Sequence, residues 1–367
     1  MSVDERFMRR ALELAGQARG LTSPNPMVGA VVVEEGNIVG EGFHAAAGRP
    51  HAEVEALAAA GGRARGATLY VTLEPCVHWG RTPPCVPAVA AAGVRRVVAA
   101  LQDPNPQVAG RGLESLRQAG VEVTLGVLQH EAAEQNRVWI AAVRRGRPHV
   151  TLKGAMTLDG RIADVYGESR WITGEAARQE AHRLRSESDA IVVGVGTVLR
   201  DDPRLTVRLD RPWPREPFRV VLDTSARTPA GARLISAGTP ARALIVVGEA
   251  APPDRVRALE QAGASVLPVR TREARVEPTA VLAALWAHQV RGVLVEGGGE
   301  VHGAFLDAGL VDRVVLFVAP RLLGGREAPS VVSGAGRALK DAVRLGRLSV
   351  REVGEDLLVD GNVVRGP

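Results

Sequence analysis

The chain has 367 residues, 46% of them hydrophobic and only 3% aromatic, and a formal net charge of +5. That length suggests two domains, with cores filled by Val, Leu, Ile and Ala rather than by rings. It holds no apolar run long enough to span a membrane, no apolar signal core and no long basic run, which argues against membrane insertion, secretion and nucleic-acid binding and points to the cytoplasm.

The opening "MSVDERFMRRALELA" predicts an amphipathic helix. "GAVVV" (29–33) and "GNIVGEGFH" (36–44) predict a strand pair over a glycine turn. A helix over 51–60, a strand over 67–73, a helix over 86–93, a strand over 95–101, a helix over 110–120 and a strand over 121–126 follow. One continuous helix is expected over 130–145. Strands alternating with helices imply βαβ units and a three-layer α/β/α domain. The basic "RRGRP" (144–148) then marks a boundary, so domains are expected at 1–146 and 147–367.

The second half alternates as well. Strands are expected at 149–156, 189–195, 218–223, 243–247, 291–296 and 312–319. Helices are expected at 174–187, 254–263, 278–289 and 300–308. The proline-rich 210–217 reads as a loop. A homo-oligomer is expected, with the apolar 300–319 as a candidate interface.

Both cysteines fall in one proline-rich stretch, "TLEPCVHWGRTPPC" (72–85), which reads as a loop rather than a core strand. Cys76 and Cys85, with His51 of "HAEVEAL", make a His-Cys-Cys set. Zinc favours thiolate and imidazole, and a catalytic zinc keeps three protein ligands and one open position. Such a zinc brings a bound water to a pKa of about 7. Glu53, two residues beyond His51, would carry the proton to the leaving group. Zinc deaminases of nucleobases use this arrangement. The eight residues between the cysteines hold His78, Arg81 and Thr82, which suit an anion; His78 is the alternative fourth ligand. In the second half, no G-x-G-x-x-G follows the first strand. However, "GVLVEGGGEVHGAFLDAGL" (292–310) places three glycines between a strand and a helix, where backbone N–H groups reach phosphate. An RNA-editing deaminase or a non-catalytic zinc module are the competing readings. Few aromatics speak against the first, and Glu53 beside an open site against the second.

"TSPNPMVGAVVV", "HAEVEAL", "TLEPCVHWGRTPPC" and "QDPNPQVAGRG", in this order, resemble the bifunctional deaminase–reductases of riboflavin biosynthesis. "LKGAMTLDGRIA", "GESRWIT", "VGTVLRDDPRLTVR" and "VEGGGEVHGAFL" extend the resemblance through the second half. It implies a cytidine-deaminase-like N-terminal domain and a dihydrofolate-reductase-like C-terminal domain. The implied reactions are zinc-dependent deamination of a phosphoribosylaminopyrimidine and NADPH reduction of its ribosyl group. One zinc would be held by His51, Cys76 and Cys85, with Glu53 catalytic. Asn25, Asp103 and Asn105 would line the base pocket, and His78 and Thr82 would face the sugar phosphate. NADPH would touch Ala155, Trp171, Thr197, Asp201, Thr224, Gly298, Gly299, Glu300, Val301, His302, Gly303 and Ala304. The reductase substrate would touch Lys153, Ser169, Arg185, Leu205, Arg208 and Glu296, with Asp201 assisting proton movement.

Overall fold

Ser2 caps the first helix, α1 (Val3–Gly16), by accepting Glu5 N–H, and the Glu5 carboxylate accepts Ser2 N–H in return. The computed structural model describes residues 1–106, 108–237 and 243–365. Gln107 of the "DPNPQ" motif thus lies outside the described residues. The chain divides into two units, Met1–Gly146 and Arg147–Pro367.

The first unit continues with β1 (Gly29–Glu34), β2 (Asn37–Phe43), α2 (Ala52–Ala60), β3 (Thr68–Val71), α3 (Cys85–Ala91), β4 (Arg96–Ala99), α4 (Arg111–Gln118), β5 (Glu122–Leu125), α5 (Gln129–Gln135) and α6 (Arg137–Arg145). The strand order is β2-β1-β3-β4-β5. β1 runs antiparallel to β2 and β3, and β3, β4 and β5 run parallel. β1 lies inside the sheet, between β2 and β3, and is almost wholly buried, which is why its sequence is a continuous apolar run. A Cβ on Gly40 would stand 2.2 Å from the Ala56 carbonyl oxygen, and one on Gly42 would stand 2.5 Å from Ala56 N. The two glycines therefore seat α2 directly on β2, which sets where His51, immediately before α2, is held.

The helix expected over 130–145 is two helices, broken at Asn136 (φ −103°, ψ 16°). The buried Asn136 amide accepts Met27 N–H and donates to Met27 O, both at 2.8 Å. It serves the loop that follows Asn25 instead of the helix.

The second unit comprises β6 (His149–Thr157), α7 (Glu175–Ser186), β7 (Ala190–Gly194), α8 (Val195–Asp201), β8 (Phe218–Leu222), α9 (Arg233–Ser236), β9 (Ala243–Gly248), α10 (Pro253–Gln261), β10 (Ser265–Val269), the hairpin β11 (Thr271–Arg272) and β12 (Arg275–Val276), α11 (Pro278–Ala287), β13 (Gly292–Val295), α12 (Gly299–Asp307), β14 (Arg313–Ala319), β15 (Leu345–Val353) and β16 (Asp356–Val363). Its main sheet runs β10-β9-β8-β7-β13-β6-β14-β16-β15. Every pairing from β10 to β14 is parallel, and β16 and β15 are added antiparallel.

The sequence pattern does not anticipate α8, α9, β10, β11, β12, β15 or β16. β15 is exposed on both faces nearly to its end, so it lacks the alternation that marks a strand. Within 300–319, Phe305, Val315 and Phe317 are buried in the core of the second unit. No helix among the described residues is long and apolar enough to cross a membrane.

Candidate active sites

In the first unit, three separate elements converge on one point. His51 is the residue before α2, with extended backbone (φ −77°, ψ 161°). Cys76 lies in the loop after β3, and Cys85 is the first residue of α3, behind Pro84. Cys85 N–H points to the Cys76 sulfur at 3.4 Å and to the Cys76 carbonyl at 3.1 Å, which folds the loop back on itself. His51 Nδ1 lies 3.1 Å from the Cys85 sulfur and 3.6 Å from that of Cys76. Its Nε2 meets the Thr82 hydroxyl at 3.1 Å. Thr82 thus sits behind the imidazole, holding the ring with Nδ1 toward the sulfurs.

The two neighbouring thiols are shifted in opposite directions. Cys76 is held down at about 4, first by the Cys85 thiol beside it and then, against burial, by His51. Cys85 is pushed up by Cys76 and by burial. Glu53, on the first turn of α2, is buried with its carboxylate against Cys85; burial raises its pKa and His51 opposes. His78 does not join the cluster: among the described residues the metal-type group is His51, Cys76 and Cys85, and His78 Nδ1 is buried without a partner.

Two residues that sequence reasoning passed over organise this site. Glu74, inside "TLEPC", is buried and accepts four backbone N–H groups: Asp103 (3.0 Å), Gly110 (2.9 Å), Gly112 (2.8 Å) and Leu113 (3.2 Å). It ties the Cys76 loop to the 103–113 segment and to the start of α4. A Cβ on Gly112 would stand 2.0 Å from the Pro75 carbonyl oxygen, so only glycine permits this approach. His44 is buried with its ring edge-on to His51, centroids 5.2 Å apart. It accepts from Asn25 Nδ2 on Nε2 at 3.0 Å and donates from Nδ1 to Pro50 O at 3.1 Å. Asp103 accepts Asn105 N–H at 2.7 Å. Burial pushes Asp103 up to about 7; the Asn105 N–H opposes and Glu74 adds to it.

In the second unit, Glu296 follows β13 and forms a two-pronged pair with Arg185 of α7, at 2.8 and 2.7 Å. Arg185 also donates to Thr206 O at 3.1 Å, and Arg208 to the Thr206 hydroxyl at 3.2 Å. Although burial works against it, Arg185 and Lys153 hold Glu296 down at about 2. Burial lowers the Lys153 ammonium, with Glu296 opposing. His182, one helical turn before Arg185, was not foreseen. Its Nδ1 accepts Arg208 N–H at 3.3 Å. Burial, then Arg185 and Arg208, push it down to about 4, so it is a neutral ring at pH 7 with its proton on Nε2. Leu205 is buried at φ 51° and shapes this loop.

Thr197, in the first turn of α8, follows β7; Thr224 follows β8; Gly298 follows β13. These are adjacent parallel strands, and their carboxyl ends are the edge where α/β sheets bind ligands. A Cβ on Gly298 would meet nothing within 4 Å, so its outer side is open. By contrast, a Cβ on Gly303 would stand 2.0 Å from Ser333 O, and one on Gly299 2.4 Å from Ser330 O, so these two serve packing. Glu300 pairs with Arg275 at 2.7 Å. Val301 packs over Gly297, while the buried His302 ring donates to Val331 O at 2.7 Å. Ala304 lies within α12, and Ala155 is two residues beyond Lys153 on β6. Asp201 ends α8. Ser169 and the exposed Trp171 stand in the loop before α7, with the Arg178 guanidinium 4.7 Å from the Trp171 ring centroid.

A His-Cys-Cys set with a buried glutamate in one unit, and a glycine turn beside a cation cluster in the other, define a zinc-type deaminase joined to a reductase domain. Residues 1–101 match the family model of the cytidine and deoxycytidylate deaminase zinc-binding region, and residues 148–359 match that of the RibD C-terminal domain. The chain belongs to the RibD family, the bifunctional deaminase–reductases of riboflavin biosynthesis. The riboflavin biosynthesis protein RibD of Aquifex aeolicus is 42% identical over 357 residues, covering 97% of this chain and 98% of that protein. RibD of Escherichia coli K12 is 43% identical over 366 residues, covering 96% and 98%. The solved structure of Acinetobacter baumannii RibD superposes with a TM-score of 0.90 at 38% identity, over 99% of each chain. That of the Thermotoga maritima diaminohydroxyphosphoribosylaminopyrimidine deaminase/5-amino-6-(5-phosphoribosylamino)uracil reductase gives 0.85 at 37% identity, over 99% of each.

Proposed function

We propose that residues 1–146 carry out zinc-dependent deamination of 2,5-diamino-6-(5-phosphoribosylamino)pyrimidin-4(3H)-one. Residues 147–367 then reduce the ribosyl group of 5-amino-6-(5-phosphoribosylamino)uracil to ribityl with NADPH. The observation that carries the reading is the donor set: one atom each of His51, Cys76 and Cys85, all within 4.8 Å of one another. Nitrogen and sulfur on adjacent corners of a zinc tetrahedron stand about 3.6 Å apart. The His51–sulfur distances of 3.1 and 3.6 Å suit one zinc per chain.

Zinc at this site supplies a water acidic enough to attack at neutral pH. Glu53, buried beside this donor set, would carry a proton from the attacking water to the departing ring amine. Thr82 keeps the His51 ring in its ligating tautomer. Asn25, Asp103 and Asn105 hold the base, with His78 toward the sugar phosphate.

In the second unit, the open side of Gly298 is the space that phosphate would fill, with the first N–H groups of α12 as donors. NADPH supplies the hydride. Ala155, Trp171, Thr197, Asp201 and Thr224 complete its cradle. Lys153, Arg185 and Arg208 outnumber Glu296 and leave positive charge for the ribose phosphate, which guanidinium forks match in shape. Ser169 and Leu205 border the same pocket. A homo-oligomer is part of the reading, because Leu345, Leu348 and Val350 expose apolar area along the edge strand β15.

Purified Cys85→Ser tests the proposal. It should lose zinc and deamination together, yet still reduce the already deaminated substrate. A zinc-replete Cys85→Ser protein would remove Cys85 from the ligand set.

A further inference from the structure

A cavity of about 370 Å³ opens beside the carboxyl edge of the second unit's sheet, lined by Ala226, Arg227, Thr228, Arg255, Ala258 and Leu259. Arg227 belongs to the segment after β8, and Arg255 to α10 after β9. Arg255 Nη1 donates to Ser225 O at 3.3 Å, which brings its guanidinium to the residue following Thr224. The acid nearest Arg227 is Asp223, with Nε to Oδ1 at 4.0 Å. Asp223 is fully buried, and its Oδ2 accepts Thr228 N–H at 2.6 Å and the Thr228 hydroxyl at 2.7 Å. Two guanidinium groups thus line one cavity with no closer carboxylate among the described residues. The hairpin cations differ: Arg270 and Arg275 are ion-paired to Glu277 and Glu300 at 2.6 and 2.7 Å.

We infer that this cavity receives the 2′-phosphate of the cofactor, and that Arg227 and Arg255 are what make the reductase select NADPH over NADH. The inference rests on the cofactor reading above. The sheet order supports the placement. The Gly298 turn follows β13, and β7, β8 and β9 are its successive parallel neighbours. With strands about 4.8 Å apart, the cavity lies roughly 10–15 Å along the edge from the Gly298 turn. A dinucleotide with its diphosphate at Gly298 and its adenosine half toward β8 and β9 would carry its 2′-substituent there. A phosphomonoester is dianionic, and cations at this point of a nucleotide site accommodate a 2′-phosphate that NADH lacks.

The test uses the full-length chain and titrates NADPH, NADH, 2′-AMP, 5′-AMP and inorganic phosphate by calorimetry. The wild type should bind NADPH more tightly than NADH, and 2′-AMP more tightly than 5′-AMP or phosphate. Arg227→Gln and Arg255→Gln should each weaken NADPH and 2′-AMP by about tenfold or more, leaving NADH, zinc content and deamination unchanged. Arg272→Gln, which removes the same charge from the hairpin, should alter neither ratio. Inorganic phosphate binding as tightly as 2′-AMP would make this a general anion site and overturn the inference. So would equal losses of NADPH and NADH, or an unchanged preference in both variants. If the wild type binds neither nucleotide, the cofactor reading itself fails.

Discussion

The His51 ring stands between two partners, and Thr82 fixes which nitrogen faces the metal ligands: Nε2 meets the Thr82 hydroxyl at 3.1 Å. That bond leaves Nδ1 free toward the sulfurs of Cys85 and Cys76. Outer partners of this kind typically contribute 10–100-fold in metal affinity. Thr82→Val keeps the shape and removes the oxygen. It should weaken zinc by about tenfold or more in a chelator competition. An unchanged affinity would mean that packing alone holds the ring.

Glu53 is buried against Cys85, outside the His51, Cys76 and Cys85 cluster. Glu53→Gln keeps the volume and removes the proton acceptor. Zinc content should stay at the wild-type level while kcat for deamination falls by ~10²–10⁴. Deamination at wild-type rate would remove Glu53 from the chemistry.

Glu74 accepts four N–H groups from the 103–113 segment, three of them buried. Unmade bonds to buried donors cost about 1–3 kcal/mol each, and Gln can replace only part of what a carboxylate accepts. Glu74→Gln should lose about 3 kcal/mol of stability, seen as a lower melting temperature for the deaminase unit. It should also weaken substrate binding through Asp103. A variant as stable as the wild type would show that other groups or water satisfy these donors.

Glu296 is held at about 2 against an ordinary 4.5. A depressed carboxyl stabilises the folded state above its unfolded pKa. That contribution is therefore present above pH 4.5 and is lost as pH falls toward 2. The shift corresponds to about 3 kcal/mol, and breaking the buried pair costs a similar amount. Glu296→Gln should thus be clearly less stable than the wild type in urea at pH 6, and the gap should narrow by pH 3. A gap that does not change with pH would deny the pair its electrostatic role.

The clustering of His51, Cys76 and Cys85 was legible because these residue types are rare in this chain and the cysteine loop is rich in proline. The roles of Thr82, Glu74, His44 and His182 were not. Each depends on which partner the fold delivers from far along the chain: Glu74 on N–H groups beginning at Asp103, His182 on the backbone of Arg208. Elements with alternating or continuous burial, such as β1, could be read directly. β15 could not, because exposure on both faces leaves no period. The break at Asn136 was hidden because the tie to Met27 is tertiary. In 300–319, apolar content alone does not reveal which residues the core takes up; Phe305 and Phe317 are buried there.

One chain is expected to perform both steps, in order. The most direct measurement is the mass of the product formed by the full-length zinc-loaded protein from the diaminopyrimidine phosphate, with and without NADPH. Without NADPH, the product should have exchanged its ring amine for oxygen and kept the ribosyl group. With NADPH, it should in addition have gained the hydrogens that open ribosyl to ribityl. Deamination with no further change in the presence of NADPH, or no deamination at all, would show that this chain does not carry both activities.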